Sequence, residues 1–179
     1  MSDYSLYMTK KEQLLHIALT LFANEGYTAT STSKIAKAAQ VSEALIFRHF
    51  NNKKGLLDTI LEEAEIKSGD LILPIMLEEN PKLVIKKAIE LPFTIHKKDY
   101  DFWRLQFKLK WQSEYNHPKK MEPFIAKLTD AFAQLNYAEP TNEALLLNQI
   151  VLAISTEILK GNFKPQKAYK TFLLKKYQV

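Results

Sequence analysis

The chain has 179 residues, enough to bury a hydrophobic core in one or two small domains; with 46% hydrophobic and 25% charged residues it does not have the composition of a disordered chain. It contains no cysteine, which excludes disulfides and thiolate chemistry, and it shows no apolar leader or long uncharged apolar run, so a cytoplasmic protein that does not enter the membrane is expected. The formal net charge of +5 is unevenly spread: seven Lys or Arg face four acids in residues 1–55, one faces seven in 56–80, and seventeen face nine in 81–179. A basic start followed by an acidic stretch suits a module that meets an anion and a connector that does not.

Leu, Ile, Ala, Lys and Glu dominate and only four glycines occur, which points to an all-α fold. Thr9 and Glu12 have capping-box spacing ahead of the stripe Leu14, Ile17, Ala18, Leu21 and Phe22, and Gly26 ends that first helix. The "TSTS" run from Thr30 to Ser33 offers N-cap hydroxyls for a short second helix whose Ile35, Ala36 and Ala39 share a face. Gln40 and Val41 make a tight connection, Ser42 is a good N-cap, and a third helix runs from there to about Phe50. Asn52 can cap a fourth helix reaching about Ser68, with Leu56, Leu57, Ile60, Leu61 and Ala64 inside and Asp58, Glu62, Glu63 and Glu65 outside. Gly69, Pro74 and the "ENP" at Glu79 to Pro81 mark a domain boundary. Further helices are expected near 82–96, 100–115, 118–136, 142–160 and 165–176.

Two short helices joined by a tight turn, the second packing through Val41, Ile46 and Phe50, form a helix-turn-helix, whose second helix enters the DNA major groove. Its outward set is Glu43, Ala44, Leu45, Phe47 and Arg48. Apolar side chains there can meet thymine methyls, Arg can reach guanine or a phosphate, and the aromatic ring can pack on the sugar-phosphate backbone.

The stretch "GYTATSTSKIAKAAQVSEALIFRHFNNKKGLL", Gly26 to Leu57, resembles the DNA-binding domain of TetR-family bacterial transcriptional regulators. The resemblance covers roughly Thr9 to Leu61. It implies a helical homodimer, an N-terminal DNA-binding domain, and a C-terminal domain that binds a small effector, usually in a repressor. By motif position it places Thr32 and Ser33 at the DNA-facing start of helix two, Glu43, Ala44 and Leu45 at the base edges, and Phe47, Arg48, His49 and Lys53 near phosphates. His49 also admits a purely local hydrogen bond. Two departures from the pattern stand out: Gln40 occupies a position the family usually gives to Gly, and Glu43 is unusual beside phosphates, where it either accepts from cytosine or merely caps.

The expected organisation is a helix-turn-helix domain over 1–55, a linking helix and connector over 56–80, and a helical effector-binding and dimerisation domain over 81–179. In the last, "YDFWRLQFKLKWQSEY" puts Trp103, Phe107 and Trp111 on one side and Phe102 on another, with Gln106 and Lys110 between. These six can line an apolar effector site. Alternatively the aromatics are plain core, and Lys110 reaches water or pairs with Glu114. The segment Ala144 to Leu159 is apolar on almost every side and needs partners on more than one face. Leu147, Val151, Ile154 and Ile158, with Phe172 from the following segment, are the expected dimer interface.

The leading reading is therefore a DNA-binding regulator, a repressor released from a palindromic double-stranded operator by a small, mostly apolar effector. A ligand-free dimeric DNA-binding protein is the alternative. An enzyme would need a convergent acid, base or metal set, and four histidines without HExxH spacing and glycines without a phosphate loop supply none; no catalytic residue, metal or cofactor is expected.

Overall fold

The computed structural model describes residues 8–110, 115, 118–162 and 166–179. Among them the regular structure is entirely helical: α1 (Lys10–Glu25), α2 (Thr32–Ala38), α3 (Glu43–Phe50), α4 (Lys53–Met76), α5 (Pro81–Thr94), α6 (Tyr100–Leu109), α7 (Glu122–Gln134), α8 (Pro140–Lys160) and α9 (Gln166–Tyr177), with short 3₁₀ turns before α6 and α7.

The chain divides into two compact units. Unit 1 takes residues up to Ile66 together with Lys98–Tyr115, and unit 2 takes Lys67–Lys97 and everything from Asn116 on. α6, expected in the C-terminal domain, thus belongs with the N-terminal helices. The cause is burial: Leu105 and Leu109 of α6 join Leu14, Ala18, Phe22, Ile35, Ile46, Leu56 and Leu57 in one core. Polar ties reinforce it, with Thr20 Oγ1 donating to Asp101 Oδ2 at 2.9 Å and Lys108 Nζ donating to the Asn24 carbonyl at 3.0 Å.

Local chemistry starts the helices where the sequence predicts. At α1 both halves of the capping box are present. The Thr9 backbone N–H and then its hydroxyl hold the Glu12 carboxyl below the usual carboxylate range. Ser31 caps α2 by accepting from the Lys34 amide. Ser42 has N-cap backbone geometry at α3 but its hydroxyl makes no cap bond. Asn52 Oδ1 accepts from the Gly55 amide at the start of α4. Gly55 also lets this turn pass the Phe50 carbonyl, since an added Cβ would stand 2.1 Å from that oxygen. α4 continues through Gly69 and Pro74 to Met76, eight residues beyond the expected end near Ser68.

The turn between α2 and α3 does place Gln40 in the left-handed region, at φ 53°. A Cβ there costs about 1 kcal/mol that glycine avoids. Gln40→Gly is expected to raise stability by about 0.5 kcal/mol, part of the gain being lost to the greater freedom of an unfolded glycine; an unchanged or lower urea midpoint would contradict this.

Unit 2 is built on α5, α7, α8 and α9, with the final turns of α4. Val84, Ile85, Ala88, Ile89, Phe124, Leu128, Phe132, Leu147, Val151 and Ile154 fill its interior. Asn80 caps α5 through the Lys82 amide, and Gly161 ends α8 in the left-handed conformation at φ 77°. Lys87 Nζ joins α5 to the end of α4 by donating to Glu78 Oε2 at 2.6 Å and the Pro74 carbonyl at 3.1 Å. The Lys87 ammonium, with the Asn80 amide, keeps the Glu78 carboxyl below its ordinary range.

Candidate nucleic-acid interface

α3 is held from one side only. Ile46 is fully buried and Phe50 nearly so, while Ala44, Phe47, Arg48 and His49 are exposed. Phe47 leaves half its surface in water, a poor position for an aromatic ring unless a partner covers it. Leu45 differs from the expectation of an outward side chain: it is half-buried and packs against the core of unit 1. One residue before the buried Ile46, it is turned partly inward, so any base contact uses only its outer methyls.

The cations of this face are not equivalent. Arg48 is exposed in the last turn of α3, and Lys37 is exposed in the last turn of α2. Lys37 is not among the residues the motif singles out; the signal for it in the sequence is a lysine in the "SKIAKA" segment beside the motif. Lys34 is paired with Glu25 across the α1–α2 turn.

Lys53 is half-buried. Its ammonium donates to the Tyr27 and Thr30 carbonyls, each at 3.0 Å, and lies 4.3 Å from the centroid of the Tyr27 ring. Tyr27 in turn packs edge-on against Phe22, with centroids 5.2 Å apart, and the buried Thr30 hydroxyl donates to the Gly26 carbonyl. Two of the three ammonium donors are thus spent on fastening α4 to the α1–α2 turn. Lys53→Met is expected to destabilise unit 1 by about 1–3 kcal/mol, by leaving those carbonyls short of a charged donor. Chemical denaturation read by helicity checks this, and an unshifted midpoint would leave DNA contact as the residue's whole role.

At the start of α2, Ser33 is exposed but Thr32 is half-buried and engaged: its hydroxyl donates to Glu43 Oε1 at 2.5 Å. Thr32 and Glu43, eleven residues apart, therefore join the N-termini of α2 and α3.

The other predicted sites are placed differently from the expectation. Phe102, Trp103, Gln106 and Phe107 are half-buried on α6 and belong to unit 1, where Phe102 packs on the core shared with α1; Lys110 is exposed. Trp111 and Glu114 lie outside the described residues. Leu147, Val151, Ile154 and Ile158 are at most 5% exposed, so this side of α8 is already buried within its own unit, and an interface between protomers cannot use it. The exposed side of α8 carries Leu145, Leu146 and Ala153 instead. Phe172, on α9, is 58% exposed.

A family model described as "Bacterial regulatory proteins, tetR family" matches residues 14–60, the span that holds α1 to α3 and the start of α4. That segment carries the TetR-family DNA-binding motif. Beyond residue 60 the TetR-family likeness rests on relatives and on fold. The chain is 28% identical over 142 residues to YvkB of Bacillus subtilis, an uncharacterized HTH-type transcriptional regulator, covering 74% of this chain and 72% of that one. It is 40% identical to the regulator AcrR of Shigella flexneri over 63 residues, 35% of this chain and 29% of AcrR. Among solved structures, a TetR-like transcriptional regulator from Rhodococcus sp. RHA1 superposes with a TM-score of 0.76 at 17% identity, over 92% of this chain and 91% of that one. The regulator AibR, solved with isovaleryl coenzyme A and operator DNA, does so at 0.69 and 18% identity, over 93% and 96%. The likeness is accordingly to transcriptional regulators with a DNA-binding helix-turn-helix, and the regular structure of the described residues beyond it is helical. Among its described residues no helix is long and apolar enough to cross a membrane.

Proposed function

We propose that the protein is a homodimeric repressor that binds a palindromic operator through α3 of each protomer and leaves it when a small, mostly apolar molecule binds. The observation that carries the DNA part is the outer side of α3, where Phe47, Arg48 and His49 stand exposed above a rigid core formed by Ile46 and Phe50. Ser33, Arg48 and Lys37 are the phosphate donors, and Ala44, Glu43 and the outer part of Leu45 face the base edges.

Dimerisation is supported by the outer faces of α8 and α9. Leu145, Leu146, Tyr169 and Phe172 are 37–58% exposed, too much apolar surface on two neighbouring elements to leave wet. A two-fold pair through this face presents two copies of α3, which calls for half-sites about one helical turn apart or a multiple of it.

The effector part has two supports. The relative solved with isovaleryl coenzyme A shares this fold. In unit 2, Asn148 Oδ1 and the Tyr177 hydroxyl are buried without a hydrogen-bond partner among the described residues. Burial, and after it Glu143 and Tyr137, pushes the Tyr177 phenol up to about 12, so it is a neutral hydroxyl at any working pH. Buried orphan groups of this kind are normally satisfied by water or by a ligand, and we place the polar end of the effector at Asn148. Release requires that the effector prefer the conformer whose paired α3 helices do not match the operator, because equal affinity for both shifts nothing. The continuous element along which such a change can reach the DNA-binding unit is α4, which runs from unit 1 into unit 2.

Footprinting on the DNA upstream of the protein's own gene tests the proposal. A protected near-palindrome, occupied by two chains and vacated on addition of a short-chain acyl coenzyme A or another apolar metabolite, is the expected result. Absence of any protected sequence would overturn the DNA reading, and protection that no apolar compound relieves would overturn the effector reading.

A further inference from the structure

The Thr32–Glu43 bond changes what both residues can do on DNA. A threonine hydroxyl has one proton, and here it goes to Glu43 Oε1 at 2.5 Å. While that bond stands Thr32 has nothing to donate to a phosphate. Glu43, half-buried in the first turn of α3, keeps Oε2 without a partner among the described residues. The carboxylate is thereby fixed in direction, with one oxygen engaged from behind and the other available as an acceptor at the end of the helix that leads into the groove.

We infer that Glu43 is a specificity-determining residue that accepts a hydrogen bond from the N4 amino group of a cytosine in each operator half-site, with Thr32 as the positioning residue that holds its rotamer. The inference rests on the reading that α3 enters the major groove. The choice of base follows from the groove's pattern of donors and acceptors. An ionised carboxylate only accepts, so guanine and thymine, which offer O6, N7 or O4, repel it. Adenine presents an amino group, but between its own N7 and the O4 of the paired thymine, so a carboxylate meets acceptors on both sides. Cytosine presents its amino group with a C–H edge on one side, leaving only the O6 of the paired guanine as an unfavourable neighbour. The same charge beside the phosphates is otherwise unfavourable, and reading a base gives it a role that compensates.

Selection from a randomised duplex library with the full-length protein tests this, using the parent, Glu43→Ala, Glu43→Gln, Thr32→Val and Thr32→Ser, each first checked for native helicity. The parent is expected to enrich a half-site with one invariant cytosine, preferred by about 5- to 150-fold over other bases, the range of a good base contact. Glu43→Ala should lose the preference at that position alone, and Glu43→Gln should move it toward adenine, which a carboxamide can meet at N6 and N7. Thr32→Val should weaken the preference several-fold, and Thr32→Ser, which keeps the hydroxyl, should restore it. A defined half-site that survives Glu43→Ala unchanged, or a uniform gain in affinity for all sequences, would overturn the assignment while leaving the groove reading intact. A parent that enriches no sequence overturns the groove reading, and the assignment with it.

Discussion

Replacing Ile154 with glutamate is expected to unfold unit 2, not to separate two protomers. The side chain is 4% exposed and lies among Val151, Ile158 and the other interior residues of that unit. An unpaired carboxylate there costs on the order of 4 kcal/mol, a large part of the stability of a domain this size. The contrasting variant carries Leu146→Glu with Phe172→Glu, on side chains that are 50% and 58% exposed in the protomer. It should keep native helicity and melt near the parent, yet sediment as a monomer. Losing the second half-site contact should then lower operator affinity by about a hundredfold or more, because bound together the two α3 helices benefit from a high effective concentration. Circular dichroism, sedimentation and operator titration on both variants check the pair. A folded monomeric Ile154→Glu, or a fully dimeric Leu146→Glu, Phe172→Glu protein, would reverse the assignment of the two faces of α8.

Leu105→Ala is expected to destabilise the DNA-binding unit although it lies far along the chain from the recognition helix. Leu105 is 1% exposed in the core that also holds Leu14, Phe22, Ile35, Ile46 and Leu57. Truncating it removes buried methyl groups and leaves a cavity, a loss of about 2–5 kcal/mol. Amide exchange in α1 should accelerate accordingly, and operator binding should fail at a lower temperature than in the parent. Leu83→Ala, on α5 at 40% exposure, is the control and should change stability by less than about 0.5 kcal/mol. Equal exchange rates in Leu105→Ala and the parent would mean that α6 is not an integral part of unit 1.

The DNA-binding elements were legible because their determinants are local. The Thr9–Glu12 capping box, the Ser31 cap, the left-handed turn at Gln40 and the inward stripe of Ile46 and Phe50 each lie within a few residues of what they control, and each is where its spacing predicts. Helix existence beyond residue 81 was equally readable from the 3.6-residue period. Two sets of assignments depended on something the period does not contain. A stripe says that a face is apolar, not what will cover it, and α8 has apolar residues on both sides. Only packing against α5 and α7 decides that Leu147, Val151 and Ile154 go inward while Leu145 and Leu146 stay out. Likewise α6 follows α5 in the chain, but Leu105 and Leu109 find their largest burial against α1, more than eighty residues earlier. The Thr32–Glu43 and Lys53–Tyr27 bonds belong to the same class: sequence supplies the donors and acceptors, and the angle between helices decides which of them meet. Sequence by itself determined the helices, the starts of α1 to α4 and the inner face of the helix-turn-helix, all set by interactions between near neighbours. Only the tertiary structure decided which apolar faces are interior and which polar groups are already engaged, because those depend on contacts between residues far apart in the chain.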